Sequence, residues 1–236
     1  MRESQKRLGV VGGLGPLATA LFLELIVKNT KAPVDQEHLD VILYSIPRIP
    51  DRTAFILEKS DQSPLPMLTE YAKKLEGYAV DAIAIPCVTF SYFYESLLQT
   101  VNTKLIHPIG ETVKALASSG VKKAGIMATS GTLYTKLFQT ELEKHNIDWV
   151  APSSQVQTDI MDIIYGGIKA GKRVTPERLS RVGESFFVQG CDAVILGCTE
   201  LSVITNQNCF DDRYFDVLEI LAQASIKACG GTLVGE

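Results

Sequence analysis

An internal echo restricts this chain more than any other feature. Residues 80–89 read VDAIAIPCVT, and residues 191–200 read CDAVILGCTE. In each, an Asp (Asp81, Asp192) stands six positions ahead of a Cys (Cys87, Cys198) that closes an apolar run. Upstream, LGVVGGLGP (8–16) is matched by AGIMATSGT (124–132), each an apolar strand opening into a Gly-containing loop. Gly9 lies 78 residues before Cys87, and Gly125 lies 73 residues before Cys198. That period is too long for a solenoid and fits two homologous α/β lobes.

Strand-like and helix-like segments alternate along the chain. Strands are expected at LGVV (8–11), VILYSI (41–46), AIAI (82–85), KLIHP (104–108), AGIMAT (124–129), WVAP (149–152) and AVILG (193–197). Helices are expected near 16–29, 64–78 and 90–100, up to about 145, and near 216–228. Near-continuous apolar strands between helices predict parallel sheets covered on both faces. The expected fold is α/β, with two similar lobes related by a pseudo-twofold axis, each a parallel sheet flanked by helices. The first lobe takes residues 1–115 plus 210–236, because the final helix returns to it. The second takes 116–209. The active site is expected between the lobes, where the C-terminal ends of equivalent strands face a shared cleft.

Composition narrows the function. With 236 residues, 46% of them hydrophobic, the chain can bury a large core. The net charge is −4, and the 23 Lys and Arg are scattered, so no footprint for nucleic acid is expected. No apolar run approaches the roughly 20 residues that span a bilayer, and MRESQKR leads into no signal-like segment. A cytoplasmic protein with no membrane partner is expected. The five cysteines are Cys87, Cys191, Cys198, Cys209 and Cys229; the number is odd, no CxxC occurs, and only three His are present. Neither a disulfide framework nor a metal site is expected.

Each echoed Cys follows a buried strand where a helix should begin, with Thr89 or Ser91, and Thr199, as possible caps. A helix N-terminus stabilises a thiolate and attracts a carboxylate. Two thiols facing one cleft can move a proton across a stereocentre, one removing it and the other returning it to the opposite face. A lone Cys at a strand end reads as a small core residue, and Cys191, Cys209 and Cys229 keep that reading. The loop with Gly12, Gly13, Gly15 and Pro16 lacks GxGxxG spacing and a downstream ribose-binding acid. It brings backbone N–H groups to a carboxylate or is a plain turn. Arg52, in RIPDRT, is a candidate carboxylate clamp, or a surface Arg paired with Asp51; Arg48 could add a second charge. His107 is either a helper to a thiol or structural. Asp81 and Asp192 read as turn or cap residues, and Tyr92, Phe93 and Tyr94 as core and interface contacts.

The segments VVGGLGPLATALFLELI, IPDRTAFIL, IPCVTFSYFYESL, HPIGETV, ATSGTLYTKLFQ and LGCTELSVI occur in this order. Together they resemble the aspartate/glutamate racemase family, in its PLP-independent, aspartate-racemase-like branch. The resemblance implies an amino-acid racemase that interconverts L and D enantiomers, of aspartate or glutamate, by two-cysteine proton transfer with no cofactor. It also implies a homodimer with an interlobe site. Carried over by position, Cys87 and Cys198 are the catalytic pair. Gly13, Arg52, Thr89, Thr129, Thr132, Lys169, Thr199 and Glu200 are substrate-binding. Val88 stands where the family usually carries Asn, and Ser91 where it carries His. The alternatives are an isomerase or decarboxylase acting on a dicarboxylate through one Cys, and a catalytically silent amino-acid-binding protein.

Overall fold

A computed structural model describes residues 7–205 and 210–236. The first apolar run forms β1 (Arg7–Gly12), buried along nearly its whole length. It pairs in parallel with β2 (Asp40–Ser45) on one side and β3 (Ala82–Ala84) on the other, and β3 pairs with β4 (Lys104–Leu105). The second lobe repeats this plan. There β5 (Lys123–Ala128) pairs with β6 (Asp148–Val150) and β7 (Ala193–Gly197), and β7 pairs with β8 (Tyr214–Asp216), all in parallel. The strand orders β2-β1-β3-β4 and β6-β5-β7-β8 are equivalent. The two-lobed α/β fold is the one expected.

The repeated side chains explain why both lobes close the same way. The Asp81 carboxylate accepts a bond from the Arg7 amide, and the Asp192 carboxylate accepts bonds from the Lys122 and Lys123 amides. Each Asp thereby ties its own strand to the start of the neighbouring strand. Gly9 and Gly125 let a helix pack close against the central strand. A Cβ on Gly125 would lie 2.5 Å from the Phe186 ring, and one on Gly9 would lie 3.1 Å from the Leu75 side chain.

The first lobe contributes helices α1 (Pro16–Asn29), α2 (Arg52–Ile56), α3 (Leu65–Gly77), α4 (Tyr94–Leu98) and α5 (Pro108–Ser118). The second carries α6 (Ser130–Tyr134), α7 (Leu137–Lys144), α8 (Ser154–Met161), α9 (Pro176–Phe187), α10 (Ser202–Thr205) and α11 (Val217–Ala228). Pro16, Pro108 and Pro176 open their helices, where a missing N–H costs nothing.

The lobes exchange their closing helices. Ile109, Val113 and Leu116 of α5 pack with Ala124, Ile126 and Ile195 of the second sheet. Leu218, Leu221 and Ile226 of α11 pack with Leu8, Val10 and Ala82 of the first. Two features depart from the expected lobe borders at 115 and 210. Helix α5 covers the second sheet, and Tyr214–Asp216 is a strand of that sheet. No border is visible in the sequence because a three-residue edge strand carries no alternating pattern. Cys191 and Cys229 are buried in apolar clusters, and Cys209 lies outside the described residues.

Candidate active site

Both echoed cysteines leave the C-terminal ends of equivalent strands, and each is about 5% exposed. Cys87 follows β3, Cys198 follows β7 directly, and both line one cavity between the lobes. The helices expected to begin at them are broken or short: the first is a 3-10 segment that passes into the five-residue α4, and the second is a single turn. After Cys87 comes a 3-10 turn, Thr89–Phe93, with no side-chain cap; after Cys198 comes the four-residue α10. Such short elements build almost no macrodipole. The charge at each thiol is supplied by side chains instead.

Arg52 is the charge on the first lobe. Asp51 caps α2 by accepting from the Ala54 amide at 2.7 Å, which places Arg52 at the first helical position. The guanidinium is 6% exposed and donates to three backbone carbonyls, Leu14 at 2.6 Å, Pro50 at 3.1 Å and Ile49 at 3.5 Å. Its Nε has no partner. Burial pulls the guanidinium pKa down, but Cys87, Asp51 and Glu200 around it outweigh burial and hold it above the ordinary value.

Glu200 is the charge on the second lobe. The Cys198 thiol donates to its Oε2 at 2.9 Å, and Lys169 Nζ lies 3.1 Å from its Oε1. Burial first, then the facing carboxylate, push the Cys198 thiol well above the ordinary thiol range; Lys169 opposes them. Cys198 therefore rests as a protonated thiol. Burial pulls the Lys169 ammonium down, while Glu200 and Cys198 pull it up more strongly. The Thr199 hydroxyl lies 3.4 Å from Glu200 and 3.4 Å from the Pro86 carbonyl of the other lobe.

Hydroxyls form the seam between the lobes. Thr89 lies 3.2 Å from Thr129 and 3.0 Å from Thr132, and Thr129 and Thr132 are 3.1 Å apart. Thr53 donates to Thr129 at 3.3 Å. Thr129 also caps α6 through the Thr132 amide. The enclosed space has about 10 Å³ free, room for one water at most. It adjoins a vestibule of about 500 Å³ that shares Leu14, Asp51, Arg52, Lys169 and Glu200 with it.

Of the expected site residues, Cys87, Cys198, Arg52, Thr89, Thr129, Lys169, Thr199 and Glu200 line the cavity, and Thr132 joins its hydroxyl seam. Gly13 lies in the vestibule wall. Its φ is +90°, and its amide donates to Thr19 at 2.8 Å, so it offers no free N–H to a carboxylate. Arg48 is not a second charge here, because it donates to the Tyr71 hydroxyl at 2.6 Å on another face. His107 caps α5 through the Gly110 amide and stacks on Tyr94, away from both thiols. Val88 lines the cavity and packs with the second lobe's core. Two residues that were not expected in the site join it, Thr53 and Tyr165. Thr53 adjoins Arg52. Tyr165 precedes Lys169 by four positions, the spacing that shares a helical face.

Residues 11–225 match the model of the Asp/Glu/Hydantoin racemase family. The aspartate racemase of Picrophilus torridus superposes with a TM-score of 0.83 at 29% identity, over 97% of this chain and 96% of that one. The broad specificity amino-acid racemase RacX of Bacillus subtilis (strain 168) is 24% identical over 225 residues, 93% of this chain and 96% of its own. In fold alone, the chain is similar to glutamate racemase from Francisella tularensis solved with D-glutamate. That match has a TM-score of 0.64 and 20% identity, over 94% of this chain and 80% of that one. The chain belongs to the Asp/Glu/Hydantoin racemase family and is an amino-acid racemase.

Proposed function

We propose that the protein racemises an acidic amino acid, aspartate or glutamate, by passing the α-proton between Cys87 and Cys198 without a cofactor. One observation carries this reading: two buried thiols from equivalent strand ends line one cavity, a cation beside one and a carboxylate beside the other. One thiolate removes the α-proton from one face of the substrate. The opposite thiol returns a proton to the other face, and the two sulfurs end with their protonation states exchanged. Arg52, with an unpartnered Nε, and Lys169 supply positive charge for substrate carboxylates and for the enediolate-like charge that develops at the α-carbon. The hydroxyls of Thr89, Thr129 and Thr132 supply acceptors for the ammonium group.

The closed cavity cannot hold an amino acid, so substrate enters through the vestibule as the lobes part at Arg52, Lys169 and Glu200. Val88 gives the cavity an apolar wall that suits side chains beyond the acidic pair, in keeping with the broad specificity named for the relative RacX. The enzyme works as a homodimer in the cytoplasm on free amino acids, and light scattering of the purified protein tests the dimer. Among the described residues no helix is long and apolar enough to cross a membrane.

The test is chiral chromatography after incubating the purified protein with each L- and D-amino acid in turn, with no PLP. Aspartate or glutamate should reach an equal mixture of enantiomers from either side. Turnover confined to other amino acids would remove the acidic specificity. No turnover with any amino acid would overturn the racemase reading and leave a silent binding protein.

A further inference from the structure

Helix α8 does not end cleanly at Met161. It runs on as a π-helical turn, Asp162–Gly167, and then a 3-10 turn, Ile168–Ala170, ending at Gly171 in the left-handed region. π-Turns are rare and concentrate where a helix must re-aim a side chain. This one turns both Tyr165 and Lys169 onto the cavity.

The Tyr165 hydroxyl crosses to the first lobe. It donates to Asp51, 3.0 Å from Oδ2 and 3.2 Å from Oδ1. The same Asp51 carboxylate caps α2, the helix whose first residue is Arg52. On the other side, Lys169 Nζ lies 5.3 Å from the centre of the Tyr165 ring and 3.1 Å from Glu200, the carboxylate bonded to Cys198. Tyr165 thus joins the group that places the cation at Cys87 to the group that places the carboxylate at Cys198.

We propose that Tyr165 is a positioning residue for racemisation: its bond to Asp51 closes the two lobes on the substrate and sets Arg52 and Lys169 on either side of it. The proposal rests on the racemase reading for its kinetic consequence, but the bond itself needs no substrate. A tyrosine kept for packing alone would not spend its hydroxyl on a carboxylate of the opposite lobe. Burial, the largest influence on the phenol, raises its pKa, so the hydroxyl stays a donor throughout any working pH. The proton never leaves Tyr165. Its part is to hold, and the thiols do the chemistry.

Tyr165→Phe removes the bond and keeps the ring. Asp51→Ser keeps a cap on α2 but is too short to reach Tyr165. Steady-state racemisation and amide hydrogen exchange of residues 162–170 in the ligand-free protein read the two consequences separately. The expected result is a fall of about tenfold in kcat/KM for Tyr165→Phe, the range of one hydrogen bond to a charged group. The melting temperature should fall only by the share of that one bond, and exchange at 162–170 should be faster in both single variants. The double variant should lose no more than the worse single one, because both remove one bond. Wild-type kcat/KM in Tyr165→Phe, unchanged exchange at 162–170, or losses that multiply in the double variant would each overturn the proposal. If Tyr165→Phe does not fold, Asp51→Ser alone decides by the same exchange reading. If the wild type turns over no amino acid, the racemase reading falls, and unchanged exchange would still overturn the Tyr165–Asp51 closure.

Discussion

Glu200 is the residue that makes the two thiols unlike. Its carboxylate accepts from Cys198 at 2.9 Å and raises that thiol, whereas the charge facing Cys87 is the cation Arg52. Glu200→Gln removes the negative charge and keeps the shape. The Cys198 thiol should then titrate at lower pH. In the pH profile of the direction that needs Cys198 as base, the rising limb should move toward neutrality. In the opposite direction, which needs Cys198 as the acid, kcat/KM above neutral pH should fall, because less of the thiol stays protonated. A rising limb that stays in place would show that Glu200 does not govern Cys198. The two facing cysteines were legible because they are repeated, Arg52 and Glu200 because they lie in quoted motifs, and Lys169 only by position through the family resemblance. Tyr165 and Thr53 were not, since their partners Asp51 and Thr129 lie 114 and 76 positions away and meet them only across the cleft.

At the scale of elements, the two exchanged helices begin in the same way, each with a side-chain cap just after an edge strand. Asp216 caps α11 through the Leu218 and Glu219 amides and also accepts from Ser202 at 2.6 Å and Thr205 at 2.9 Å. Asp216→Ala should cost about 2 kcal/mol, the sum expected for a lost cap and a lost buried acceptor. Urea denaturation measures this, and a cost near zero would contradict the assignment. His107 caps α5 with a neutral ring nitrogen, and burial lowers its pKa below the ordinary 6.5. The native state therefore binds fewer protons at His107 than the unfolded chain does. Its contribution is full above pH 6.5 and is lost as pH falls toward the lowered value. Melting curves between pH 7.5 and 5 should fall more steeply for the wild type than for His107→Asn, which caps without titrating; parallel curves would contradict this. The long helix α1 was legible, with Pro16 marking its start. The expected helix at 90–100 splits into a 3-10 turn and α4, and the π-turn after α8 is invisible to a 3.6-residue pattern, because tertiary contacts across the cleft set both.

For the whole molecule, the echo made two equivalent lobes legible, but not their exchange of closing helices or the tightness of their contact. Gly131 of α6 sits so close to α2 that an added Cβ would lie 2.9 Å from the Thr53 backbone of the opposite lobe. Gly131→Ala should wedge the lobes slightly apart and lower kcat/KM while the protein still folds. Unaltered kinetics would mean that catalysis tolerates a looser cleft. The central claim is proton transfer between two opposed thiols, and proton NMR of the substrate in D₂O tests it most directly. With L-aspartate and the wild type, deuterium should enter the α-position of the D-product early, while the remaining L-substrate keeps its proton. Cys87→Ala and Cys198→Ala should each abolish inversion. Inversion that survives the loss of either cysteine, or early deuterium in the unreacted enantiomer equal to that in the product, would contradict a two-thiol mechanism.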